Sequence, residues 1–134
     1  MANSTSIQLL IDGPRNVVIK FEGVLDSSDL ASTVIIDPST LSAIGAFGEL
    51  PTKVRIDSIE YSVEDALSLN LFWDATTPVR IEEVVGRGTY TYYKFGGLSN
   101  NAGAGITGKI TATTQGWTTG AILSFSAVIT MVKQ

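Results

Sequence analysis

The sequence predicts an all-β fold: an antiparallel β-sandwich or jelly roll of eight or nine strands with at most one short helix. Three observations carry this. Apolar residues recur with a period of two in run after run, the signature of half-buried strands. Clusters of Gly, Pro, Asn and Asp punctuate the chain between those runs, as at Asp12-Gly13-Pro14, Asp26-Ser27-Ser28, Thr77-Pro78, Gly86-Arg87-Gly88 and Gly96-Gly97. Only one segment starts and stops like a helix. No repeat or linker divides the chain, so residues 1–134 read as a single domain.

The elements follow in order. The opening MANSTS has no large apolar pattern and predicts a flexible N-terminal arm at residues 1–6, reaching with the first strand toward a neighbouring subunit. Ile7, Leu9 and Ile11 alternate as a first strand, and Val17, Ile19 and Phe21 as a second. DPSTLSAIG is the helical candidate, with Asp37 as cap, Pro38 at its first position and Gly45 at its end, two turns at most. In KVRIDSIEYSVE the apolar series runs Val54, Ile56 and then slips to Ile59, Tyr61 and Val63, which predicts a β-bulge. Leu67, Leu69, Leu71 and Trp73 share one face, leaving Phe72 on the other. TYTYYKF reads as an aromatic strand and ITATTQGWTTG as a strand and turn. Near the C-terminus Leu123, Phe125, Ala127, Ile129 and Met131 face inward, with Ser124, Ser126 and Thr130 outward.

Composition removes several classes of chemistry. The chain has no cysteine, so it holds no disulfide or thiolate metal site, and no histidine, the usual general base and commonest metal ligand. Ser and Thr are abundant, but no nucleophile stands with a base, so the reading is not an enzyme. Net charge is −4, and the nine basic residues are scattered among thirteen acids, which argues against nucleic acid as a partner. No apolar run reaches the roughly 18 residues that span a bilayer, and MANSTSIQ lacks the basic-then-apolar pattern of a secretory signal. Charged residues make up 16%, against about 25% in typical domains, and mean hydropathy is positive. Some of the surface is therefore expected to be covered by partners.

One stretch imitates a nucleotide site. Gly103 to Gly108 fits G-x-G-x-x-G, and with Lys109 it fits G-x-x-x-x-G-K. A phosphate cradle needs a helix after the loop and a Ser or Thr after the Lys. Here Ile110 follows, and the next segment reads as a strand. The expectation is a Gly/Asn loop with no cofactor. Glu64-Asp65 and Glu82-Glu83 are neighbours that point to opposite faces of a strand, so neither makes an acid–base dyad. Asp12, Asp26, Asp29, Asp37 and Asp74 sit at turns, and no calcium loop is present.

The segment from Trp73 to Ile110 carries a resemblance. Trp73 with Ala75-Thr76-Thr77-Pro78-Val79, then Gly86-Arg87-Gly88, an aromatic strand, Phe95-Gly96-Gly97-Leu98, an Asn/Gly-rich loop and Thr107-Gly108-Lys109-Ile110 resembles small virion structural proteins of tailed bacteriophages. With the upstream RIDSIEYSVED, the likeness covers residues 53–134. It implies a β-sandwich or jelly-roll capsid decoration (cement) protein that bridges major capsid protein subunits on the phage head surface. Such a protein resides in the host cytoplasm during assembly. The resemblance also favours a homo-oligomer, above all a homotrimer, with no membrane or small-molecule substrate among its partners. A tail or neck component of the virion is the neighbouring alternative. From another class, a carbohydrate-binding module would use Trp73, Trp117 or the Tyr run as stacking platforms. The candidate interface residues are Ser4, Ile7, Phe72, Tyr92, Asn100, Asn101 and Trp117.

Overall fold

The computed structural model describes residues 3–44 and 48–134. Nine strands are found among them: β1 (Ser4–Asp12), β2 (Asn16–Leu25), β3 (Thr33–Ile36), β4 (Val54–Val63), β5 (Ser68–Trp73), β6 (Val79–Val84), β7 (Arg87–Thr91), β8 (Ile110–Gln115) and β9 (Leu123–Lys133). The alternation that predicted them has a simple cause. Successive side chains on a strand point to opposite sides, so one set enters the core and the other meets water.

Two antiparallel sheets result, one ordered β1-β2-β9-β4-β7 and the other β3-β8-β5-β6. β2 pairs with β9, β3 with β8, β4 with β7, and β5 with β6. Eight strands thus form one long antiparallel ribbon folded back on itself, the wiring of a jelly roll. β1 is the addition, pairing with β2 and extending the first sheet one strand further.

The core lies between the sheets. Phe21, Ile19, Ile59, Ile129 and Met131 from one sheet meet Leu69, Leu71, Trp73 and Ile110 from the other, all essentially inaccessible to water. The Phe21 and Phe125 rings pack with centroids 5.2 Å apart. The slip expected in β4 is a bulge between Ile56 and Ser58, which keeps Ile56 and Ile59 both inside.

Other expectations are corrected. Residues 1–6 were expected as an arm, but from Ser4 the chain is already in β1, with Ser4 opposite Val24 and Ser6 opposite Glu22. Met1 and Ala2 lie outside the described residues. Asn3 fastens this end: its Oδ1 accepts from the Asp26 and Ser27 amides, and its Nδ2 donates to the Ser28 carbonyl. Ile11 does not share a face with Ile7 and Leu9, because a bulge at Leu10 shifts the register. The helical candidate is a single 3-10 turn, Pro38–Thr40, whose cap Asp37 accepts from the Ser39 amide, and Gly45 lies outside the described residues. That hydrogen bond and the one from the Ser39 hydroxyl hold the Asp37 carboxyl below its ordinary value. The aromatic run is a strand only to Thr91, after which Tyr93–Phe95 form a second 3-10 turn. No helix among the described residues is long and apolar enough to cross a membrane.

Candidate functional site

The Gly-rich loop is closed on itself. The Thr107 hydroxyl donates to Asp74 Oδ2 at 2.7 Å and its amide donates to the Asp74 carbonyl at 3.2 Å, while the Thr76 amide donates to the Ala104 carbonyl. The Asp74 side chain thus ties the loop down, and β8, not a helix, begins at Ile110. Gly108 has φ +83°, and a Cβ there would overlap the Thr52 carbonyl oxygen, so glycine is required by both backbone and space. The loop is a connection into β8 held against the Asp74–Thr76 segment.

Among the described residues no three acids cluster closely enough to hold a metal. A trough of about 760 Å³ crosses the outer face of the larger sheet, where one register row runs Ser6, Glu22, Ser126, Ser62 and Arg87. On this row Glu22 stands between Ser6 and Ser126, and at the trough's end the Ser124 hydroxyl donates to Glu64 Oε1 at 3.4 Å.

Two side-chain groups finish the borders of the sandwich. At the β7 border Tyr61, Tyr90 and Tyr92 stack in a row, with centroids 5.4 Å and 6.5 Å apart, and the Phe95 ring meets Tyr92 edge-on at 6.2 Å. Gly88 leaves room for this row, since a Cβ there would come within 2.9 Å of the Tyr61 hydroxyl. The Tyr92 hydroxyl donates to Glu82 Oε2, on β6 of the facing sheet, at 2.8 Å. Burial, reinforced by that carboxylate, pushes the Tyr92 phenol far above its ordinary value, and the neighbouring Tyr61 hydroxyl raises Tyr90.

At the other border the C-terminal end of β1 is clamped. Lys133 is buried on β9 and donates to the Gly13 carbonyl at 2.6 Å, to the Ser42 carbonyl at 2.8 Å and to the Asp12 carboxylate. Asp12 also accepts from the Ser42 amide and hydroxyl. Burial alone would raise the Asp12 carboxyl, but the bonds from Lys133 and Ser42 outweigh it and hold it below the usual range. No pattern in the sequence marked Lys133. It ends an apolar strand, where a charge reads as an exposed terminus.

The candidate interface residues are not brought together. Ser4 and Ile7 lie exposed on β1. Tyr92, at the opposite border, is buried against Glu82. Phe72 is half-buried on the outer face of the smaller sheet with the Arg80 guanidinium 6.0 Å from its ring centre. Asn101 is exposed, while Asn100 turns its Oδ1 to the Ala102 amide and leaves a buried Nδ2 without a partner among the described residues. Trp117 is half-buried, its indole N–H donating to the Ala121 carbonyl.

What stands out instead is β1 itself. Ile7, Leu9, Leu10 and Ile11 are 44%, 50%, 51% and 51% exposed, on a strand whose outer edge pairs with nothing among the described residues. Between β1 and β3 an apolar groove of about 250 Å³ opens, lined by Ile7, Leu9, Ile19, Val34, Ile36 and Leu41. Period-two counting found Ile7, Leu9 and Ile11 and marked Ile7 as an interface candidate, but a count along one strand does not reveal that the facing sheet stops short of it and leaves all of them bare. Compared with family models, curated proteins and solved structures, the chain matches none.

Proposed function

We propose that this chain is a non-enzymatic structural protein of a virion, a decoration (cement) protein that sits on the head and bridges major capsid protein subunits. The observation that carries the reading is the jelly-roll wiring, which agrees with the fold that the resemblance over residues 53–134 implies. A chain with few charges that exposes apolar side chains outside β1, among them Leu50, Phe95 and Ile122, also leaves surface open for a protein partner. The same resemblance favours a homo-oligomer with threefold symmetry, located on the head surface and in the host cytoplasm during assembly.

Cosedimentation with undecorated heads tests the proposal. Saturable binding to heads and absence from isolated tails is the expected result. Binding to tails or necks alone would move the protein to the neighbouring reading, and binding to neither would reject both.

Exposed rings favour one second reading, a carbohydrate-binding module. Tyr93 and Phe95 are 60% and 69% exposed on their turn. The tryptophans withdraw support from it: Trp73 is in the core, and the Trp117 N–H is already bonded. Oligosaccharide titration followed by tyrosine fluorescence separates the two, with a Phe95-dependent change expected only for the second reading.

A further inference from the structure

We propose that β1 is the contact between two copies of this chain, paired antiparallel about a twofold axis at Gln8. The proposal needs only the chain itself and stands apart from any shell.

Its first ground is that the edge carries no protection. Exposed edge strands are ordinarily blunted by lysine, proline, inward-pointing charge or a covering loop. From Ser4 to Ile11 β1 has no charge and no proline, and the single bulge at Leu10 leaves Ser4 to Leu9 in regular register with β2. The strand is also held in place, by Asn3 at one end and the Asp12–Lys133 clamp at the other. Its free backbone groups are therefore presented in a fixed, extended line.

The second ground is self-complementarity. With the axis at Gln8, Ile7 of each copy lies opposite Leu9 of the other and Gln8 meets Gln8, all within the regular stretch before the bulge. Ile7 and Leu9 stand opposite the core residues Phe21 and Ile19 of β2, so the apolar inner face continues unbroken across the junction. The lone charge, Asp12, lies beyond the bulge and meets the uncharged start of the other copy's strand rather than another carboxylate. A foreign strand would have to reproduce this alternation and neutrality. The chain already does.

The third ground is size. Half of four large apolar side chains is on the order of 300 Å² per copy, and with the strand backbones two copies approach about 1,000 Å², the lower bound of specific interfaces. The contact is isologous and closes at two copies, so a threefold contact would use another surface.

Light scattering and a cysteine cross-link test this. The wild-type mass is expected at twice 14.2 kDa, or 28.4 kDa. Leu10→Lys is expected to halve it with an unchanged circular dichroism spectrum. The chain has no native cysteine, so Gln8→Cys introduces a single thiol. Its two copies across the axis would lie about 4.5–5.5 Å apart at Cα, within disulfide range. Oxidation should give a covalent dimer from Gln8→Cys and none from Lys94→Cys at the opposite border. A 14.2 kDa wild type whose Gln8→Cys form does not cross-link overturns the proposal. So does any oligomer whose mass Leu10→Lys leaves unchanged and whose Gln8→Cys form stays uncross-linked. Should Leu10→Lys fail to fold, the Gln8→Cys result alone decides.

Discussion

The two borders of the five-stranded sheet are finished in opposite ways. At β7 the inner face is filled by the Tyr61–Tyr90–Tyr92 row, and Glu82 points inward from the facing sheet to receive the Tyr92 hydroxyl. Glu82 is an inward-pointing charge on β6, the edge of the facing sheet, and such a charge deters that strand from recruiting another. At β1 there is no plug. The strand pairs with β2 along one edge and is tied at both ends, but its middle is apolar and bare on the other side. The difference teaches that edge protection here is local: the same sheet is closed at one side by its own side chains and left open at the other.

The largest effect should come from the clamp. Asp12→Ala removes the carboxylate and leaves the fully buried Lys133 ammonium with carbonyl partners only, at a cost of about 3 kcal/mol in urea unfolding. Lys133→Met should be milder, because it removes the buried charge itself. Equal losses in the two variants would mean that packing, not charge, holds this end of β1.

Next comes the plug. Tyr92→Phe strips Glu82 of its donor and should cost about 1–3 kcal/mol. A neutral outcome would show that ring stacking alone closes the β7 border.

The borders should also fail at opposite ends of the pH scale. The folded Asp12 carboxyl lies below its ordinary value, so its contribution is present above about pH 3.9 and is lost as pH falls through the lower folded value. The folded Tyr92 phenol lies above its ordinary value, so its contribution is present below about pH 10 and fades as pH rises beyond it. Unfolding midpoints across pH should show Asp12→Asn flattening the acid limb and Tyr92→Phe the alkaline limb. If both variants flatten the same limb, the comparison collapses.

The smallest effect belongs to a residue at neither border. Lys109→Ala should change stability by under about 0.5 kcal/mol, and calorimetry should detect no heat from ATP or GTP with either form. Heat that disappears in the variant would restore the nucleotide reading that the helix-free exit of the loop argues against.

The strands were legible because their period of two is a local property, and even the β4 bulge was visible where Ile56 and Ile59 fell out of step. The outcome differed wherever a distant partner decided. The Pro38 segment carries a good cap, yet it stops after one 3-10 turn. Tyr92 reads as a strand residue, but its amide donates to the Asp57 carbonyl and the chain turns there. The strand β1 was legible as apolar, with Ser4 and Ile7 as interface candidates, but the exposure of Leu9, Leu10 and Ile11 was not, because it depends on how many strands the opposite sheet contains. Lys133 was illegible altogether, since its oxygen partners come from two distant parts of the chain, Asp12-Gly13 and Ser42.

Pairing the second strand with the last has a consequence for how the molecule is made. Asn16 lies opposite Val132, a separation of 132 − 16 = 116 residues, and β9 fills the position between β2 and β4. Until β9 emerges from the ribosome, those two strands have no neighbour to join them, and each presents a raw edge. Chains dominated by such distant pairings fold slowly, on the millisecond-to-second scale typical of β-sandwiches. The order of synthesis therefore sets how long this architecture spends with its two raw edges available for wrong pairing.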